Sequence, residues 1–224
     1  MPLEETSWAD IQTISKAGLA SEYWAIGDQK TIYIDGVAYL VDIIGFDHDI
    51  PTDTAAYGRN KVGITFQLHN LLATTYKMND SSTNVGGWKE SNMRTNTMPV
   101  LFNQINADLQ TVIVEVNKVS CVGGATSDME TTSDRLFLLA EIEIAGSCMY
   151  SANGEGTRYA YYKSYNNLTN DVYLKQTIDG AEENWWTRSA TWAYDDEFCA
   201  IANDGGFSDL RSAWDSGVSF AFCV

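Results

Sequence analysis

The run KTIYIDGVAYLVDIIGF, residues 30–46, constrains this chain more than any other stretch. Two segments rich in β-branched and aromatic residues flank Asp35 and Gly36, a dipeptide suited to a type I′ turn because both central residues must take positive φ. The run predicts a hairpin and so puts an antiparallel sheet in the fold.

The other elements are read by the same rules. Ser7 before WADIQTISKAG has capping-box-like spacing to Asp10; Trp8, Ile11 and Ile14 recur at helical intervals, and Gly18 can close the helix. A second helix is expected in SNMRTNTMPVLFNQI, residues 91–105, bent or interrupted at Pro99. Alternation predicts strands in GITFQLHNLL (63–72) and LQTVIVEVNKVSC (109–121). DRLFLLAEIEI (134–144) reads as a buried strand leading into a turn. Residues 144–184 lose periodicity and gain Gly, Asn, Ser and Tyr, with one helical turn near 157–163; a segment this long is expected to pack as part of the site or of an oligomer contact. NWWTRS, EFCAIA and GVSFAFCV are short strands separated by turns such as NDGGFSD, residues 203–209. The sum is an α+β fold: one domain over 1–224, two helices beside a curled, mainly antiparallel sheet, with long loops.

The formal charge is −16, from 30 acidic and 14 basic residues. That field repels phosphates, so nucleic acid is excluded as a partner, and solubility is the plain reading of the charge. No apolar run reaches bilayer length, which argues against membrane insertion. Met1-Pro2-Leu3-Glu4-Glu5 lacks the basic and apolar regions of a secretory signal. Export by another route, such as within a virion, or a longer parent chain remains as the alternative.

Signals for catalysis are weak. Cys121, Cys148, Cys199 and Cys223 show no CxxC spacing and read as mostly buried thiols; Cys199 and Cys223 both follow phenylalanine and are expected on neighbouring strands, where a disulfide could form. Asp47-His48-Asp49 could orient an imidazole or hold a metal, but more often such a histidine is a hydrogen-bonded surface group. No G-x-S-x-G, P-loop or dinucleotide fingerprint is present. Asn203, Asp204 and Asp209 offer hard oxygen ligands without the spacing of a known calcium loop. No cofactor is implied.

Binding residues are better indicated. Residues 190–216 contain five aspartates, one Glu, one Arg and no Lys. The candidate contacts are Trp192, Tyr194, Asp195, Asp196, Asn203, Asp204, Phe207, Ser208, Asp209, Leu210, Arg211 and Trp214. Rigid aromatics give contact area at low entropy cost, and short polar groups give adaptable hydrogen bonds. The competing explanation is turn chemistry and packing at a sheet end. Trp185, Trp186 and Arg188 are assigned to structure: one indole fills the core, its neighbour stacks on Arg188, and the guanidinium ties loop carbonyls.

WWTRSA with a terminal GVSFAFCV, together with GGWKESNMR and TSDRLFLLAEIEI, resembles an uncharacterised domain family of phage tail and gut-bacterial surface proteins. The terminal pair also resembles the ending of formylglycine-generating-enzyme-like domains and the layout of C-type-lectin-fold variable proteins of diversity-generating retroelements. The resemblance implies a C-type-lectin-like fold with a floor at 185–189 and 217–224 and a display segment at 190–216. It further implies a receptor-binding or adhesive module on a virion or cell surface, taking a protein or glycan ligand; a homo-oligomer is compatible with this but not specified by the sequence. Residues 193–196 and 203–213 contain only types reachable by adenine randomisation of Asn codons. Two departures stand out: Gly217-Val218-Ser219-Phe220 lacks the arginine of the enzyme-like relatives, and lectin-type disulfide spacing is absent. An enzyme related to the formylglycine-generating group and a structural virion domain are the other readings.

Overall fold

A computed structural model describes residues 1–163 and 170–224. The strands are β1 (Gln29–Ile34), β2 (Val37–Phe46), β3 (Ile50–Pro51), β4 (Ile64–Leu68), β5 (Val116–Cys121), β6 (Met129–Asp134), β7 (Trp185–Ala190), β8 (Glu197–Ile201), β9 (Phe207–Arg211) and β10 (Ala221–Cys223). They pair antiparallel in three sheets, ordered β1-β2-β4-β10, β3-β5-β6 and β7-β8-β9. With short helices between them, the fold is α+β.

The expected hairpin forms with Asp35 at φ 49° and Gly36 at φ 77°, and its register runs from Ile34 opposite Val37 to Gln29 opposite Asp42. The helix Trp8–Ala17 starts where Ser7 Oγ accepts the Asp10 N–H and stops at Gly18, whose left-handed φ of 75° suits a residue without Cβ. Its Trp8 ring packs edge-on against Phe66 of β4 and Phe222 of β10. Phe66 and Phe222 lie opposite each other in the sheet and stack at 5.4 Å. One hydrophobic cluster thus includes residues from Leu3 to Val224.

The second helix is built in two pieces, a π-turn at Met93–Thr97 and an α-helix at Met98–Gln104. Pro99 falls in the first turn of the α piece, directly after the π-turn whose last bond runs from the Met98 N–H to the Met93 carbonyl, so the switch in helix type coincides with the proline that cannot donate. Further single turns occur at Ala20–Tyr23, Thr54–Tyr57, Gly87–Glu90, Ala107–Gln110 and Ala160–Lys163, so the expected pair of helices undercounts them. The turn Ala160–Lys163 falls within the 157–163 expectation, while residues 164–169 of the same loop-rich stretch lie outside the described residues.

Three expectations are corrected. The run 109–121 is a strand only over Val116–Cys121, because Leu109 sits in the turn Ala107–Gln110. The run 134–144 is not a strand: past Asp134, the last residue of β6, it holds only an isolated bridge at Phe137 before EIEI opens the helix Glu141–Ala145, where both glutamates turn inward. Apolar-polar alternation misleads there because buried partners satisfy the carboxylates. Cys199 in β8 and Cys223 in β10 belong to different sheets, and all four cysteines are free thiols. Among the described residues, no helix is long and apolar enough to cross a membrane.

Candidate functional site

Strand β7 is buried at every position, so both of its faces are covered. The Trp185 indole N–H donates to the Tyr173 carbonyl at 3.0 Å and that of Trp186 to the Tyr76 carbonyl at 2.7 Å. Arg188 does not serve as a stacking partner for Trp186. Its fork donates to Ser120 Oγ, to the carbonyls of Val119, Leu138 and Glu155, and to the Glu143 carboxylate. Glu143 also accepts from Lys118 Nζ at 2.8 Å, and Lys118 reaches Asp49 at 2.8 Å. Burial opposes ionisation of Glu143, but the Arg188 and Lys118 cations hold its carboxyl below the usual range. Burial likewise opposes the charge on Lys118, yet Asp49 and Glu143 carry its pKa above the usual lysine value. This network is fully enclosed and ties β7 to β5 and to the helix Glu141–Ala145.

A cleft of about 550 Å³ is bounded by Ala125, Thr126, Ser127, Asp128, Ser151, Ala152, Asn153 and Trp192. Its three walls come from distant parts of the chain, and a buried polar side chain fixes each. Asn84, fully buried, donates to the carbonyls of Tyr194 and Glu197 at 2.8 Å each, and its Oδ1 accepts the Gly124 N–H at 2.7 Å. At Gly123 an added Cβ would stand 1.8 Å from the Asn84 carbonyl oxygen, so only glycine allows this approach. The buried Glu141 carboxylate accepts the N–H groups of Met149, Tyr150 and Ser151 at 3.1, 3.2 and 2.8 Å, and the Ser151 hydroxyl at 2.6 Å. Glu155 accepts the Cys121 N–H at 2.9 Å and the Ser189 hydroxyl. Burial pushes the Glu155 pKa up to about 7, against the pull of Arg188 and these donors. The Trp192 N–H donates to the Tyr150 carbonyl at 3.1 Å, which joins two of the walls.

The twelve candidate binding residues are dispersed. Trp192, Tyr194 and Trp214 are 56%, 55% and 54% exposed. Asp195 is exposed, and Asp196 is half-buried with Arg211 Nε 3.8 Å away. The Arg211 guanidinium also lies 5.9 Å from the Trp214 ring centre. Asn203 and Asp204 are exposed in a turn; the Asn203 N–H donates to Asn184 Oδ1, and Asp204 Oδ1 accepts the Gly206 N–H, both at 2.8 Å. Phe207, Ser208, Asp209 and Leu210 do not lie in an open loop. They form β9 with Arg211, and all four are half-buried. Phe207 packs edge-on to Tyr173 at 5.1 Å and, like Leu210, against the core, which corrects the expectation that it is exposed. Residues 190–216 are therefore a strand pair carrying exposed tips.

The oxygen ligands weighed for calcium are separated by this pairing: Asp209 stands opposite Cys199, while Asp204 closes its own turn. His48 is not held between two aspartates. It stacks on Tyr159 at 3.9 Å, Asp47 pairs with Arg59, and Asp49 is buried against Lys118. Burial pushes the thiols of Cys199 and Cys223 well above the usual range, which disfavours nucleophilic use. A second cleft of about 590 Å³ runs beside Arg94 and Phe102, but Arg94 is occupied by Asp134 and the carbonyls of Lys89 and Ser133.

Ser127, Asp128 and Asn153 were not among the sequence-derived candidates. Their only local signal is the Gly-rich turn composition of VGGATSD and SANGEG, which marks loops without saying that they meet.

No curated protein and no solved structure matches the chain. Residues 63–224, from the start of β4 to the C-terminus, match a domain of unknown function, DUF6273. That match spans well over half of the sequence, and the chain belongs to the DUF6273 family.

Proposed function

We propose that this protein is a ligand-binding module that works by surface complementarity without turnover, as a receptor-binding or adhesive domain of a phage tail or a diversified surface protein. Its target is a component of a cell surface. The C-type-lectin-like arrangement is part of this reading: a buried floor at β7 and the C-terminal strand, with the ligand-contacting tips of residues 190–216 above it.

The observation that carries the reading is the exposure of Trp192, Tyr194 and Trp214 on backbone that buried side chains hold in place. Large aromatics left in water on a fixed backbone present contact area that needs little ordering on binding. Fluorescently labelled protein is expected to bind intact bacterial cells. The triple variant W192A/Y194A/W214A is expected to lose that binding with its melting temperature nearly unchanged. Loss of fold in the triple variant, or full retention of binding, would reject the reading.

A further inference from the structure

We infer that the Trp192 cleft binds a neutral saccharide, with one face of a sugar ring against the indole and the ring hydroxyls bonded by Ser127, Asp128 and Asn153; this rests on the binding-module reading above.

The cleft's volume of about 550 Å³ suits a small-molecule subsite. Its chemistry narrows the occupant. Trp192 is its one aromatic wall, and the only other apolar side chains lining it are the methyls of Ala125 and Ala152 and the methyl of Thr126. An apolar peptide side chain would find too little surface there to bury. An anion would meet Asp128 and no lining cation, on a chain of net charge −16. A quaternary ammonium is held best by several rings, and here only one is present. A polyhydroxylated ring has what the site lacks a partner for: a flat C–H face for the indole and hydroxyls that both donate and accept.

Partner accounting agrees. Thr126 Oγ1 donates to the Gly123 carbonyl, and Ser151 Oγ to Glu141, so both are already used. The side chains of Ser127, Asp128 and Asn153, and the Trp192 indole N–H, make no hydrogen bond to another described residue. Asp128 and Asn153 are exposed. They offer a carboxylate acceptor and an amide carrying both donors and acceptor, the pair needed to read adjacent hydroxyls. The walls that carry them are fixed by Asn84 and Glu141, so the cleft is formed before the ligand arrives.

The test applies the full-length protein to an array of neutral mono- and oligosaccharides and, in parallel, to intact cells treated with periodate or with protease. Binding to a neutral glycan is expected, weakened about tenfold or more in W192A and about threefold or less in W192F. N153A is expected to weaken it, and V100A, at an exposed position of the helix Met98–Gln104 outside the cleft, to leave it intact. Raising sodium chloride from about 0.05 to 0.5 M should change it little. Periodate, which cleaves vicinal diols, should abolish cell binding, and protease should spare it. Three results would overturn the assignment: no Trp192-dependent binding to any neutral glycan, binding that high salt removes, or cell binding that survives periodate and is lost to protease. The last would leave the binding-module reading standing, whereas no cell binding under any condition would remove both.

Discussion

The side-chain amide of Asn84 donates to the carbonyl of Tyr194 at 2.8 Å across 110 residues of chain. The same amide nitrogen reaches the Glu197 carbonyl, and the amide oxygen accepts from Gly124. One fully buried residue therefore sets the position of the exposed 191–197 tip relative to the 123–128 turn that faces Trp192. Rigidity of this exposed surface comes from beneath it.

Asn84→Ala removes every one of these side-chain bonds and leaves the Gly124 N–H without its acceptor, while the Tyr194 and Glu197 carbonyls keep Thr191 as a donor. A group left so costs about 1–3 kcal/mol. The variant is expected to lose about 3 kcal/mol in urea unfolding, with faster backbone hydrogen exchange confined to residues 123–128 and 191–197. Unchanged exchange there would show that the tip is held by something else.

Arg188 is one of two cations in an enclosed network, and removing it leaves Glu143 with Lys118 and the Ala140 N–H. Breaking a buried pair by deleting one partner costs about 3–5 kcal/mol. Arg188→Met should fall in that range or fail to accumulate. Arg188→Lys should be intermediate, because an ammonium cannot reproduce five acceptor contacts arranged around a planar fork. Chemical denaturation of the three proteins checks the order.

Glu155 gives a pH dependence with a definite sign. Its folded pKa of about 7 lies above its ordinary value of 4.5 because burial disfavours the anion. The protonated carboxyl therefore contributes stability that is fully present below pH 4.5 and is lost as the pH rises to about 7. Glu155→Gln escapes the loss. Relative to wild type, its stability should rise across that window by about 3 kcal/mol, equivalent to roughly 6–12 °C in melting temperature. Parallel melting curves for wild type and variant from acid to neutral pH would refute it.

The thiols should differ in reactivity. Cys121, Cys199 and Cys223 are buried and Cys148 is partly exposed. Burial pushes the thiol pKa up at all four. In native protein a disulfide reagent is expected to label Cys148 first and slowly, with the other three reacting only in denaturant. Rapid native labelling of Cys199 or Cys223 would reopen the enzyme reading.

Local chemistry made part of this legible in advance. Asp35-Gly36 could turn only one way, Ser7 and Gly18 bracket their helix, and the alternating run at 64–68 forms β4. Each depends on residues within a few positions of one another. The EIEI alternation failed because Glu141 and Glu143 find partners in Ser151 and Arg188, which no local pattern announces. METTSD carries no apolar alternation, yet it pairs with β5 through its backbone, and its burial is mixed along its length.

The amino-acid sequence alone determined an acidic α+β chain with its first helix, its hairpin, its buried WWTRSA strand and a set of candidate aromatics. The tertiary structure decided which candidates stay in water: Phe207 and Leu210 went to β9 and the core, while Trp192, Tyr194 and Trp214 did not. It also brought Asp128, Asn153 and Trp192 around one cleft. The physical reason is range, since helix caps and turns are settled by neighbours in sequence, whereas exposure and cleft geometry depend on hydrogen bonds such as Asn84 to Tyr194 that exist only after the chain has closed on itself.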